Sequence, residues 1–315
     1  MKKSTKTTYR IRNWKEYNQA LKQRGSLTVW ISDEALQNWT TDEKTGQPGA
    51  SPTYTDLAIE TMLTVKALYH LAGRQTTGLV ASLFALLQID KPVPDHSTLS
   101  RRRGALLLTL PVKASSGARH LVIDSTGVKV YGEGEWKVRQ HGWSKRRTWR
   151  KLHLCVDAAS GEIIAACAST SNVTDAQMLP ELLADVEGEV EQVSADGAYD
   201  QRPCYEAIRR RQARAAIPPR KGARIWQHGN TKAERHVRDE NLRQIRRVGK
   251  KAWKEASNYH QRSLAETTVF RYKVTFGGQL QTRKIENQCN ELFIKCKVLN
   301  RMMHLGKPQS YKVAG

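Results

Sequence analysis

Apolar residues recur every third or fourth position through TDLAIETMLTVKALYHLAG, which predicts a helix from Tyr54 to Gly73 with Thr55 and Asp56 as its cap. A second helix is predicted from about Thr76 to Leu87. The breaker KPVPD follows, and then HSTLSRRRGALLL, which opens on capping residues and carries Arg101, Arg102 and Arg103 in its early turns. Two short helices with a basic second member suggest a helix-turn-helix at 74–108 that enters a DNA major groove. The alternative is a helical bundle whose arginines are merely solvated. Ahead of these, Trp14 to Leu21 is amphipathic, LTVWI at 27–31 is β-like, and Thr45 to Ser51 reads as a turn.

The texture changes near Ser115. ARHLVIDSTGVKVYG predicts a buried strand with a charged end, and KLHLCVDAASGEIIAACAST predicts two strands joined by a glycine turn. TDAQMLPELLADV reads as a capped helix. EVEQVSADGAYD ends a β run at Asp196 and Gly197, CYEAIRRRQAR is helical, and AAIPPR is a short strand closed by two prolines. The order is strand, strand, strand, helix, strand, helix, strand, with a closing helix near residues 255 to 275. No internal repeat and no low-complexity linker interrupts it.

Charge narrows the class of partner. The 315 residues carry 52 Lys and Arg against 30 Asp and Glu, a net +22 with 39% apolar content. The chain can bury a full core, and an imbalance this large is typical of proteins that meet a polyanion. Nucleic acid is the expected partner, since no apolar run approaches the roughly 20 residues of a spanning helix. The start MKKSTKTTYR lacks the apolar stretch of a signal peptide, so a cytoplasmic location is expected. Residues 201–260 hold 17 Lys and Arg against 5 acidic residues. A second cluster, Lys137 to Lys151, interleaves Lys145, Arg146 and Arg147 with Trp143 and Trp149, which either stack on splayed bases or pack into the core. The five cysteines form no CxxC pair and read as small buried residues. His153, His228 and His236 show no metal-ligand spacing, and no glycine-rich phosphate loop implies ATP.

Candidate chemistry gathers at YHQRSLAETTVFRYK. Treated as one helix, Tyr259, Arg262, Glu266 and Lys273 share a face about 60° wide, a carboxylate flanked by cations. Such a glutamate can hold a divalent metal while its neighbours grip phosphate oxygens. A solvated face with an Arg–Glu pair is the alternative reading. Asp124 stands where HLVID meets a polar turn, and Asp196 repeats the situation in VSADGAYD. On neighbouring strands the two aspartates come together, and a helix bearing Glu266 completes an oxygen-rich site for two divalent cations. Each is otherwise read as a turn or cap residue.

Asp124 in VIDST, Asp196 in ADGAYD and Glu266 within the Tyr259, Arg262, Glu266, Lys273 quartet resemble the catalytic set of bacterial insertion-sequence transposases of the DDE type. The likeness covers roughly residues 115 to 305, including ENQCNELFIKCKVLNRM, and PDHSTLSRR is similar to the DNA-binding region such proteins carry. The resemblance implies an α/β, ribonuclease H-like catalytic domain over 113–307, a helical DNA-binding region over 1–112 and a tail at 308–315. It implies Mg²⁺, with Mn²⁺ as a substitute, held by Asp124, Asp196 and Glu266. Arg262 and Lys273 are then expected to hold phosphates, and Tyr259 to contact the backbone or support the helix. The implied activity is cutting at terminal inverted repeats and joining of 3′-hydroxyl ends to target DNA, by a homodimer or higher oligomer. Two rivals remain: a nuclease of the same fold without strand transfer, and a non-catalytic DNA-binding regulator.

Overall fold

A computed structural model describes residues 8–44, 46, 51–130, 149–227 and 235–313. Lys145, Arg146, Arg147, Trp143 and His228 lie outside the described residues. The chain divides into two compact units, one of residues 1–106 with 297–315 and one of residues 107–296. The units divide at 106 and 296 where boundaries at 112 and 307 were expected; Lys297 pairs with Glu60 at 2.5 Å and the Arg301 guanidinium lies 5.4 Å from the Trp30 ring, so residues from 297 onward belong with the first unit.

In the first unit β1 (Thr8–Ile11) pairs antiparallel with β7 (Ser310–Val313). The intervening helices are α1 (Trp14–Gln23), α2 (Leu27–Trp30), α3 (Asp33–Gln37), α4 (Asp56–Leu68), α5 (Gly73–Leu86) and α6 (His96–Arg102). The α4 cap is as expected: the Thr55 hydroxyl accepts the Ala58 N–H at 3.2 Å. The β-like LTVWI is instead the helical turn α2. Its Trp30 is buried and donates its indole N–H to the Arg24 carbonyl at 2.9 Å, so packing overrides β propensity. The helix opened by Asp95 stops at Arg102, and a 3-10 turn follows over Arg103–Ala105, so the three arginines close a seven-residue helix rather than opening a longer one.

The second unit is built on a mixed sheet of order β4-β3-β2-β5-β6. Its strands are β2 (Arg119–Lys129), β3 (Trp149–Asp157), β4 (Ile163–Thr170), β5 (Val190–Ser194) and β6 (Arg214–Ala216). β2, β3 and β4 form an antiparallel meander, and β5 and β6 add in parallel beside β2. This is the ribonuclease H-like arrangement the resemblance implied. Between the strands run α7 (Asp175–Ala184) and α8 (Arg202–Arg210), both on predicted segments. Leu121, Ile123 and Cys155 pack against Leu179, Leu182, Leu183 and Ile208, which places α7 and α8 on the odd-numbered face of β2.

The last helices are α9 (Val237–Ala256), interrupted at Gly249, α10 (Ser263–Phe276) and α11 (Ile285–Leu305). α10 packs against β2 and β3. Val122 on the even face of β2 is fully buried, so both faces of that strand are covered. Among the described residues no helix is long and apolar enough to cross a membrane. All five cysteines are free; Cys155, Cys204 and Cys296 are buried as expected, whereas Cys167 and Cys289 are only half-buried.

Candidate active site

Strand register brings the two aspartates together. In the parallel pairing of β2 with β5, Val122 stands opposite Ser194. Asp124 and Asp196 each lie two residues further along the chain, so on the period of two both project from the same face; Asp124 stands in the middle of β2, which continues through STG to Lys129 where a turn was expected, and Asp196 lies two residues past the end of β5. His120 and Val122 precede Asp124 on that face, and Gln192 and Ser194 precede Asp196. The register is set by apolar residues on the opposite face, and one residue of slip would have sent an aspartate into the core.

The glutamate arrives from α10, though not on one continuous helix. Tyr259–Arg262 form a 3-10 turn, entered through Asn258 in the left-handed region at φ 52°, and only then does α10 begin. The expected helical face of four residues is therefore broken between Arg262 and Glu266. Arg262 nevertheless bonds Glu266, and its guanidinium also stands 3.5 Å from the Asp124 carboxylate. One cation thus joins two of the three acids. Tyr259 is buried, tilted against Trp253 with ring centroids 5.5 Å apart, and its ring lies 6.0 Å from the Arg262 guanidinium. Its place is support of the turn. Lys273 is exposed further along α10.

Electrostatics couples the three acids. Burial pushes the Asp124 carboxyl above its ordinary range, and the charges of Asp196 and Glu266 push the same way, against the Ser125 N–H and the Arg262 guanidinium. The Ser125 N–H donates to Asp124 at 2.9 Å and the Ala198 N–H donates to Asp196 at 2.8 Å. Among the described residues no three of His, Cys, Asp and Glu are drawn close enough to hold a metal ion. The expected convergence within a few ångströms is therefore not the arrangement seen. Carboxylates held near one another repel, and here one guanidinium, bound by Asp124 and Glu266, offsets part of that charge. In kind the donors fit a hard divalent cation, since all are carboxylate oxygens, and the charges of the other two already press on Asp124.

Several positioning residues escaped sequence reading. The His120 ring lies 2.8 Å from the Ser194 hydroxyl, and Gln192 donates to Ser194 at 3.0 Å and to the Ser257 carbonyl at 2.8 Å. This buried chain ties β2 and β5 to the segment that enters the Tyr259 turn, and so sets where Arg262 starts. Arg220 donates to the carbonyls of Gly197 at 3.0 Å and Ala198 at 2.9 Å, bracing the turn after Asp196. Buried Arg238 pairs with Asp200 at 2.7 Å and with Asp239 at 3.3 Å. Arg238 sits in a basic run that resembles a solvated face, so nothing local in the sequence marks it out from its neighbours.

Of the remaining expected DNA contacts, Arg101 is exposed. Arg102 bonds Asp56 at 2.6 Å and the Tyr54 carbonyl at 2.9 Å, and Arg103 is buried.

A family model described as a transposase DDE domain matches residues 115–301. A second model of the same description matches residues 22–133. A solved structure, a piggyBac transposase synaptic complex with hairpin DNA, is similar over 90% of this chain and 76% of that one, at 12% identity and a TM-score of 0.40.

Proposed function

The chain belongs to the DDE transposase family, its catalytic-domain model spanning more than half of the residues, and on that premise we propose that it cuts DNA at the ends of its own element and joins those ends to target DNA. The observation that carries the proposal is Arg262 bridging Asp124 and Glu266 beside Asp196, which makes three acids distant in sequence one electrostatic unit. A protein that only bound DNA would gain nothing from negative charges clustered against a polyanion.

Asp124, Asp196 and Glu266 would hold divalent metal, which when bound activates the attacking oxygen and stabilises the leaving one. The chain's own residues do the rest. Asp124 and Asp196 are held by backbone N–H donors, Ser125 within β2 and Ala198 after β5, so their carboxylates are oriented before any ligand arrives. Arg262 can exchange its carboxylate partners for a phosphate, which a guanidinium grips in the same forked geometry. Lys273, exposed on α10, adds a second positive charge for the backbone. In the first step a water oxygen bonds to phosphorus as the P–O3′ bond breaks, and the departing 3′ oxygen takes up the proton that water gives up; in the second the freed 3′-hydroxyl oxygen bonds to a phosphorus of the target as that phosphorus loses its own 3′ oxygen, which takes up the hydroxyl proton.

DNA binding by the helical unit is also part of the reading, with α5 and α6 as the recognition pair and exposed Arg101 as its contact. Bringing two element ends together calls for two active sites, hence a homodimer or larger assembly on DNA.

The test uses the purified full chain, a plasmid bearing the element's own ends, a target plasmid, and Mg²⁺ or EDTA. Metal-dependent cutting with joined product supports the proposal. Nicked product without joining favours a nuclease, and binding without cutting favours a regulator.

A further inference from the structure

Outside the acidic site, the second unit contains a cavity of about 510 Å³ between the loop at 219–223 and α9. Arg220, Lys221, Arg246 and Lys250 line it, with Leu242 and Ile245 among its apolar contributors. No acidic residue is among the lining residues. Lys221 and Lys250 are exposed and make no ion pair with any described residue. Four exposed cations beside apolar side chains, with no acid among the lining residues, give this surface a positive potential that suits a polyanion.

The walls are held rigidly. The Arg220 N–H donates to Asp200 at 3.0 Å, Arg238 donates to the Arg224 carbonyl at 2.7 Å, and Asp239 accepts the N–H groups of Trp226 at 3.0 Å and Gln227 at 2.9 Å. Arg246 reaches across to the Ala223 carbonyl at 3.2 Å. The loop turns through Gly222 at φ 76°, and α9 breaks at Gly249 at φ 84°, conformations that L side chains rarely adopt. The break at Gly249 sets the direction in which the chain carries Lys250. A pocket so pre-formed loses little entropy on filling.

We propose that this cavity holds one strand of the DNA backbone next to the phosphodiester being cut, with phosphates on Lys221, Lys250 and Arg246 and deoxyribose against Leu242 and Ile245. The placement beside the cut comes from Arg220, a residue that lines the cavity and whose guanidinium donates to the two carbonyls directly after Asp196. The inference rests on the DNA-cutting reading above and specifies where that DNA runs.

The experiment compares the wild-type chain with Lys221→Gln/Lys250→Gln and with Lys221→Arg/Lys250→Arg. Binding of duplex carrying the element's end is followed by fluorescence anisotropy from 50 to 300 mM salt, and the phosphates that matter are mapped by ethylation interference. Removing both charges is expected to reduce the slope of log K against log salt by about two, close to one for each phosphate left without its lysine. Interference at one or two phosphates flanking the cut should vanish with it, and the arginine variant should retain both. Unchanged slope and interference map in the glutamine variant, with wild type binding and cutting normally, overturns the cavity assignment alone. An equal fall in the arginine variant overturns it too, because charge would not be the cause. A wild-type chain that neither binds nor cuts sinks the functional reading itself.

Discussion

Arg262 reaches the Asp124 carboxylate at 3.5 Å across 138 residues of sequence while also bonding Glu266 one helical turn ahead. The guanidinium is at once a structural counter-ion for two acids and the group best shaped to take a phosphate from solution. The two roles exclude one another in part, so loading the site with metal and DNA should release Arg262 from its carboxylates.

Arg262→Ala should therefore lower stability by about 1 kcal/mol without metal, the usual order for a partly exposed pair. The pH dependence has a definite sign. The Asp124 carboxyl is raised in the folded state, so its ionisation costs stability as pH rises through that range, and Arg262 offsets the cost. The deficit should be largest at neutral pH and shrink on acidification towards pH 4. Added Mg²⁺ should raise the melting temperature more in the variant than in wild type, because no internal cation competes. Thermal melts at several pH values, with and without metal, measure both effects.

Asp124→Asn, Asp196→Asn and Glu266→Gln each preserve shape and remove one charge. Cutting should fall at least about a hundredfold in each, the order seen when one pre-organised electrostatic group is lost. DNA binding should be equal or tighter, since a negative charge beside phosphates has gone. Parallel loss of binding and cutting in Glu266→Gln would make that residue structural.

Arg238→Met leaves the carboxyl groups of Asp200 and Asp239 buried without their cation. Breaking a buried pair from one side costs roughly 3–5 kcal/mol, so this variant should unfold at markedly lower denaturant. Arg243→Met, which removes an exposed partner of Glu240, should change stability by less than about 1 kcal/mol. Denaturant midpoints for the two decide it.

His153 lies buried in β3, its ring 2.8 Å from the Ser169 hydroxyl. Burial pushes its pKa down to about 4; Lys151 adds to the fall and Asp175 opposes it. The unfolded chain then takes up a proton near pH 6.5 that the folded chain refuses until about 4, so this residue makes stability fall with pH across that window. His153→Gln should flatten that part of the stability curve, as read by denaturation at pH 7, 6, 5 and 4.

Local pattern revealed a good deal of this protein. The alternation in HLVID and KLHLCVD, the glycine turn at 160–161, the Thr174 cap and the paired prolines at 218–219 identified strands and helices of the second unit in their observed order. These features are short-range, and the chain expresses them wherever it folds. Asp196 was legible for the same reason, as an acid just past the end of a buried strand; Asp124 was legible as an acid after an apolar run, but the turn expected beyond it is strand through Lys129, because pairing with β3 extends β2. The quartet from Tyr259 to Lys273 was legible only as spacing. The left-handed Asn258 and the 3-10 turn after it depend on how His120, Gln192 and Ser194 hold the incoming segment, and those contacts span about 65 to 140 residues of chain. Tertiary structure alone also decided which arginines are counter-ions and which face solvent. Arg101 and Arg102 are neighbours of equal charge, yet only the second finds Asp56, and Arg238 differs from Arg243 only in what surrounds it. Charge is written in the sequence, but burial is a property of the fold, and burial determines whether a cation neutralises the protein's own acids or remains available to DNA.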